Sequence, residues 1–175
     1  MGDFRQRYKQ VLMKFEDKPQ YKKGKLGEDL IKKMLHQKGW MTYSADISGA
    51  HYFDILATKN KESVIAIDVK TKARFNKWPA QGINVKHYEE YKKFTETTGV
   101  PFFLIFVDDK CGDIHSAQLN KLKNPFYPAP NIIAWQLSEM KKIGVITDKS
   151  LLDEMGMFDT RNYEYNPTNE QTNIF

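Results

Sequence analysis

Apolar positions along this chain follow two different periods. Leu26, Leu30, Ile31, Met34 and Leu35 recur at the three- and four-residue spacing of an amphipathic helix, which the pattern ends near Gly39. Phe53–Ala57 and Val64–Val69 are instead short apolar runs rich in β-branched and aromatic residues. The polar turn Lys59-Asn60-Lys61-Glu62 separates them, so the pair reads as a β-hairpin. A helix over Tyr88–Thr97 follows, then the apolar run Val100–Val107, which fits a central strand, and after the turn Asp108–Asp113 a partner strand at Ile114–Leu119. Asn124–Pro130 holds three prolines and is expected to be a loop. Ile132–Leu137 reads as a late edge strand and Leu151-Leu152 as part of a short helix. Near the start, Phe4, Tyr8, Val11, Leu12 and Phe15 line one side of a basic amphipathic helix, which either packs on its own domain or docks to a partner. From about Asp159 the chain is polar and Asn-rich, the composition of a mobile tail. The expected organisation is one domain over residues 1–158, with the N-terminal helix within 1–17 and the central motifs over 22–120, followed by a tail over 159–175.

Within the hairpin, two carboxylates interrupt the apolar pattern. If the turn closes symmetrically about Lys61, Asp54 faces Asp68, and like charges directly opposite in a ladder are destabilising. A bound divalent cation would offset that repulsion. Side chains alternate along a strand, so Lys70 shares a face with Asp68, roughly 6.5–7 Å away at the backbone. Two carboxylates and an ammonium on one face suggest chemistry on a phosphate. The plainer reading has Asp54 capping a turn and Asp68 paired with Lys70 or Lys72 on a solvated face. The pattern around them favours the first. Val64 and Ala66 lie on the face of Asp68, while Ile65, Ile67 and Val69 line the other, as in a central strand covered on both sides. Burying an unpartnered charge there is costly. Upstream, Glu28 and Asp29 lie beside the helix stripe, and either contribute to the same site or favour the helix N-terminus through its dipole.

The segment from Lys72 to Phe94 interleaves Lys72, Arg74, Lys77, Lys86, Lys92 and Lys93 with Phe75, Trp78, His87, Tyr88 and Tyr91. Cations of this kind contact backbone phosphates, and aromatics stack on exposed bases. Ile83, His87, Tyr88, Tyr91 and Phe94 also fit one face of a helix packed on the sheet, so most of these aromatics serve a core equally well. His51 and His87 read as structural.

Composition narrows the picture. The 175 residues are 41% hydrophobic and 13% aromatic, enough for a real core, and the formal charge of +5 permits salt-dependent binding to nucleic acid. An apolar run of eight residues cannot span a bilayer, and Phe4–Phe15 lacks the apolar stretch of a secretory signal, so no membrane is expected. The single cysteine, Cys111, excludes an internal disulfide framework and fits a reducing cytoplasm. Cys111 and His115 are too few for a zinc site, and no nucleophilic triad is credible.

Over Gly24–Val107 the ordered set Gly24-Lys25-Leu26-Gly27-Glu28, Phe53-Asp54-Ile55-Leu56 and Ile67-Asp68-Val69-Lys70 resembles the PD-(D/E)xK nuclease superfamily, in particular its Holliday-junction-resolvase-like and phage-type members. Phe53 stands where the family's motif has its nominal Pro. The resemblance implies an α/β, restriction-endonuclease-like core: a mixed central sheet of about four to five strands flanked by helices, in the order helix, three strands, helix, strand. It implies metal-dependent hydrolysis of DNA phosphodiester bonds. Asp54 and Asp68, with the Val69 carbonyl and Glu28, would bind Mg²⁺ or Mn²⁺, hard cations that prefer oxygen ligands, and Lys70 would assist catalysis. Lys72, Arg74, Lys77, Trp78, Gln81 and Lys86 would contact nucleic acid, Gln81 as a polar group supporting the site. DNA is the expected partner in a bacterial or phage-infected cytoplasm, with a homodimer and a protein partner at the N-terminal helix as further expectations. The rival readings are a catalytically silent nucleic-acid-binding or accessory module on the same fold, and a docking subunit.

Overall fold

In a computed structural model of the chain, the described residues are 15–44, 51–60 and 63–157. The expected N-terminal helix (but for Phe15, which opens a 3₁₀ turn), Lys61 and Glu62 of the hairpin turn, and the expected tail beyond Phe158 lie outside them. Helix α1 spans Pro19–Gln37. It begins several residues before the apolar stripe because Pro19 occupies its first position, where a missing N–H costs nothing. It stops where Gly39 takes a φ of 78° and its N–H donates to the His36 carbonyl at 2.9 Å. Glu28 and Asp29 therefore sit mid-helix, too far from the N-terminus for the helix dipole to explain them.

The described residues hold nine strands in two sheets, the central one of six strands where four or five are expected. The larger holds β1 (Met41–Tyr43), β2 (Ile55–Asn60), β3 (Ser63–Thr71), β5 (Phe102–Val107), β6 (Asp113–Gln118) and β9 (Lys141–Val145), in the order β1-β2-β3-β5-β6-β9. Only β3 and β5 pair in parallel, so the sheet is mixed. The second sheet, in the order β4-β8-β7, comprises β4 (Ala80–Asn84), β7 (Phe126–Ala129) and β8 (Ile132–Gln136). Two expectations are corrected here. The proline-rich segment contributes a strand, β7, because an edge strand tolerates a residue without an N–H. Its neighbour Ile132–Gln136 is the middle strand of that sheet, and its residues Ile133, Ala134 and Trp135 are buried accordingly.

Helix α2 (Val85–Thr98) links the sheets; the Asn84 side chain caps it by accepting the Lys86 N–H at 2.9 Å, and Gly99 ends it with a φ of 71°. Helix α3 (Lys149–Met157) closes the described chain. Strand β3 has the two covered faces that its pattern predicts. Ala66 joins a core with Leu104, Phe106, Tyr91, Ile83 and Trp135, on the side of α2 and the small sheet. Ile67 and Val69 join the other core with Ile31, Ile55, Val107 and Met155, on the side of α1 and α3. Burying each such aliphatic side chain contributes about 1.5–3 kcal/mol. The hairpin register agrees with closure about Lys61: Ile55 pairs with Ile67, Leu56 with Ala66 and Ala57 with Ile65, with a register shift at the tip between Thr58 and Asn60.

Candidate active site

The carboxylates meet where β2 begins and β3 runs on. Asp54 stands one residue before the first ladder pair; its N–H donates to the Ile67 carbonyl at 2.9 Å, and its Oδ2 accepts the Val69 N–H at 2.7 Å. The side chain thus takes the place of the missing ladder partner at the strand end. Groups of one strand residue point the same way, so the Val69 carbonyl faces the same notch as its N–H. The side chain of Asp68 points to the face of β3 that also carries Ala66, toward Tyr91 of α2, and is buried. Its Oδ1 accepts both Lys70 Nζ at 2.8 Å and the Tyr91 hydroxyl at 2.7 Å, while Oδ2 is buried with no hydrogen-bond partner among the described residues. Burial and the neighbouring charge of Asp68 push the Asp54 carboxyl up to about 7. Burial alone would lower the Lys70 pKa, but the charge and hydrogen bond of Asp68, with Asp54 and Glu28 behind, raise it.

Glu28 reaches this cluster from α1. Gly27 makes that approach possible: a Cβ there would fall 1.8 Å from Thr71 Oγ1 of β3. Burial raises the Glu28 carboxyl against the pull of Lys25, whose Nζ lies 3.6 Å from Glu28 Oε2. Glu28 acts on Asp54 and Lys70 through charge. It does not complete a three-carboxylate set: among the described residues, no group of three or more His, Cys, Asp or Glu side chains is arranged to hold a metal ion. The fit to a hard cation therefore rests on Asp54, Asp68 with its unpartnered buried oxygen, and the Val69 carbonyl.

The expected nucleic-acid contacts divide. Gln81 is buried; its Nε2 donates to the Lys72 carbonyl at 3.3 Å, and its Oε1 has no partner among the described residues. Lys72 Nζ donates to the Gly82 carbonyl and lies 6.0 Å from the centre of the Phe106 ring. Arg74 is held by Asp108 Oδ2 at 2.6 Å and Asp113 Oδ2 at 2.9 Å, anchoring the segment after β3 to the β5–β6 turn. Lys77 and Trp78 are exposed on that segment, and Lys86 is exposed at the start of α2, loosely paired with Glu90 at 4.0 Å. His51 and His87 are exposed, His87 with its Nδ1 3.4 Å from Glu90. Tyr91 is the site residue that the pattern did not reveal. Its ring stacks on Phe102 at 4.4 Å, so its periodicity is that of a core residue, and only its hydroxyl serves Asp68.

A mixed sheet with flanking helices and this strand-end pair of carboxylates defines an α/β, restriction-endonuclease-like fold. The chain is similar in structure to Archaeoglobus fulgidus Hjc, a Holliday junction resolvase from an archaeal hyperthermophile, with a TM-score of 0.51 and 16% identity over 69% of this chain and 96% of that one. The sequence matches no protein-family model and no curated protein. Among the described residues, no helix is long and apolar enough to cross a membrane.

Proposed function

We propose that the chain is a metal-dependent deoxyribonuclease that hydrolyses phosphodiester bonds of DNA, directed by the structure of its substrate or recruited by a partner. The observation that carries this reading is the pairing of Asp54 with Asp68 beside Lys70. Burial, with the neighbouring charge of Asp68, pushes the Asp54 carboxyl up to about 7, while a buried oxygen of Asp68 has no hydrogen-bond partner among the described residues. The likeness to a resolvase, at the level of fold, supports the same reading.

Asp54, Asp68 and the Val69 carbonyl would hold Mg²⁺ or Mn²⁺, with Glu28 adding negative potential from α1. When bound, the cation supplies polarisation of the scissile phosphate and a lowered pKa for the attacking water. Lys70, released from Asp68, positions that water or stabilises charge developing on the phosphate. Tyr91 keeps Asp68 oriented by holding Oδ1. Lys77 and Lys86 contact flanking phosphates. A second copy of the chain and a protein partner at residues 1–17 belong to this proposal as well.

The test is cleavage of labelled linear duplex, single strand, flap and four-way junction under Mg²⁺ or Mn²⁺, with EDTA, Asp68→Asn and Lys70→Ala as controls. Cleavage that all three controls remove supports the nuclease, and the preferred substrate chooses its version. Tight salt-sensitive binding without cleavage selects the binding module. Cleavage by Asp68→Asn at the wild-type rate overturns the site.

A further inference from the structure

We infer that a cavity of about 260 Å³, lined by the segment that follows β3, receives one unpaired nucleobase of the substrate strand. The inference rests on the nuclease reading above and specifies its substrate class: DNA with an unstacked, unpaired nucleotide next to the scissile phosphate.

Position comes first. Lys72 stands one residue past the end of β3, its N–H still donating to the Val107 carbonyl of β5 at 3.0 Å, and it lines the cavity together with Arg74, Phe75, Lys77, Trp78 and Gln81. A two-residue step along a strand is about 6.5–7 Å, so the cavity opens within reach of the nucleotide flanking the phosphate that Lys70 faces. The size suits one ring system. It is smaller than the roughly 300–1,000 Å³ of a site for a drug-sized ligand, and a base pair does not fit.

The lining matches the chemistry of a base. Trp78 leaves 39% of its surface exposed, yet Phe75 at 6.4 Å and Phe126 at 5.5 Å, both edge to face, fix its indole ring. A fixed, exposed indole is a stacking platform. The side chains beside it are equally fixed, Arg74 by Asp108 and Asp113 and Lys72 by the Gly82 carbonyl, so the cavity wall keeps its shape. Gln81 is 1% exposed and lines the cavity with a side-chain amide whose Oε1 has no hydrogen-bond partner among the described residues. A buried acceptor calls for a donor. Each nucleobase carries an N–H on its Watson–Crick edge, and that N–H is available only when the base is unpaired. The amide thus selects an extruded base over a paired one without reading its identity.

The experiment measures equilibrium binding, with Ca²⁺ in place of Mg²⁺, of duplexes carrying a single-nucleotide bulge. The bulge bears an ordinary base, 2-aminopurine or no base at all, and the proteins are the wild type, Trp78→Ala and Trp78→Phe. The wild type is expected to bind the base-containing bulge about 5- to 150-fold more tightly than the abasic one, the range of one base–aromatic stack, and to quench the 2-aminopurine emission. Trp78→Ala should lose the discrimination and the quenching, and Trp78→Phe should keep most of both. Equal affinity of the wild type for base and abasic bulges, or full discrimination by Trp78→Ala, overturns the inference while the nuclease reading stands on its own cleavage result. A wild type that binds none of the probes likewise overturns the inference, and the cleavage panel alone decides the nuclease reading.

Discussion

Asp68 receives two donors on one oxygen, and that arrangement sets what each neighbour can do. Lys70 and Tyr91 hold Oδ1 at 2.8 and 2.7 Å, so Oδ2 is directed by a side chain that is itself locked against Phe102. Tyr91→Phe removes one donor without changing packing. We expect it to lower cleavage roughly tenfold or more, since small misplacements at a reacting centre are costly, and to raise the Mg²⁺ concentration at half-maximal rate. Stability should fall by only about 1 kcal/mol, the net worth of one hydrogen bond. A metal titration alongside thermal unfolding separates the two effects, and an unchanged metal dependence would remove Tyr91 from the site. Asp54 predicts a pH dependence. Its carboxyl is pushed up to about 7 in the folded protein by burial and Asp68, against about 3.9 unfolded. Between those values the folded chain holds a proton that the unfolded chain releases. Stability of the metal-free protein is therefore greatest at or below about pH 4 as far as this group is concerned. It declines as pH rises to about 7, by on the order of 2–4 kcal/mol, and is level above. Unfolding in EDTA from pH 5 to pH 8 should show this decline in the wild type and a shallower one in Asp54→Asn; parallel curves would contradict it. The Asp54–Asp68 pairing was legible because a period of two and a symmetric turn fix the register. Tyr91 was not, because an aromatic on a buried face carries no sign that its hydroxyl meets an acid 23 residues earlier.

Elements bring these residues together through close approaches that a pattern of apolar positions only partly encodes. The stripe on α1 and the two covered faces of β3 were readable from spacing, as were α2 and β5. The start of α1 and the identity of β7 were not. Pro19 opens a helix and Pro128 lies in an edge strand, so proline breaks regular structure only where an N–H is needed. Arg74 reads along the chain as a phosphate contact, yet its acid partners lie 34 and 39 residues away in a segment that reads as a turn. The approach of α1 to β3 depends on Gly27, where a methyl group would meet Thr71 Oγ1 at 1.8 Å and Thr71 Cβ at 3.1 Å. Thr71 is β-branched and half-buried at the end of a strand, so it yields little. Gly27→Ala is expected to destabilise the fold by about 1–3 kcal/mol and to lower activity by shifting Glu28. Thr71→Ala in the same chain should return much of both losses, because it removes the nearest atom. Denaturant unfolding and cleavage rates of the two single variants and the double variant form the cycle. Additive losses would mean that the helix–strand contact does not set the position of Glu28.

At the scale of the whole molecule, a formal charge of +5 overstates what is available to a polyanion. Lys23 is buried against Asp109 at 2.5 Å, Lys70 faces Asp68, Lys72 meets a carbonyl, and Arg74 binds two carboxylates. These cations organise the interior and the rim of the site. Lys77 and Lys86 are the exposed ones among the expected contacts, and the 4.0 Å pair between Lys86 and Glu90 is too exposed to hold it back. The two groups should therefore respond differently to substitution. Lys77→Ala and Lys86→Ala should each flatten the dependence of log affinity on log salt by about one unit on duplex DNA, one released counterion apiece, with stability changed by no more than about 0.5 kcal/mol. Arg74→Ala should act through the fold. It leaves Asp108 buried without its partner, and unfolding should show a loss on the order of 3–5 kcal/mol. Binding isotherms between 50 and 200 mM salt, together with thermal unfolding of the three variants, decide the matter. If Lys77→Ala and Lys86→Ala leave the salt slope where it was, the substrate backbone does not run past the β3–β4 segment and the start of α2, and the proposed nucleic-acid face lies elsewhere on the molecule.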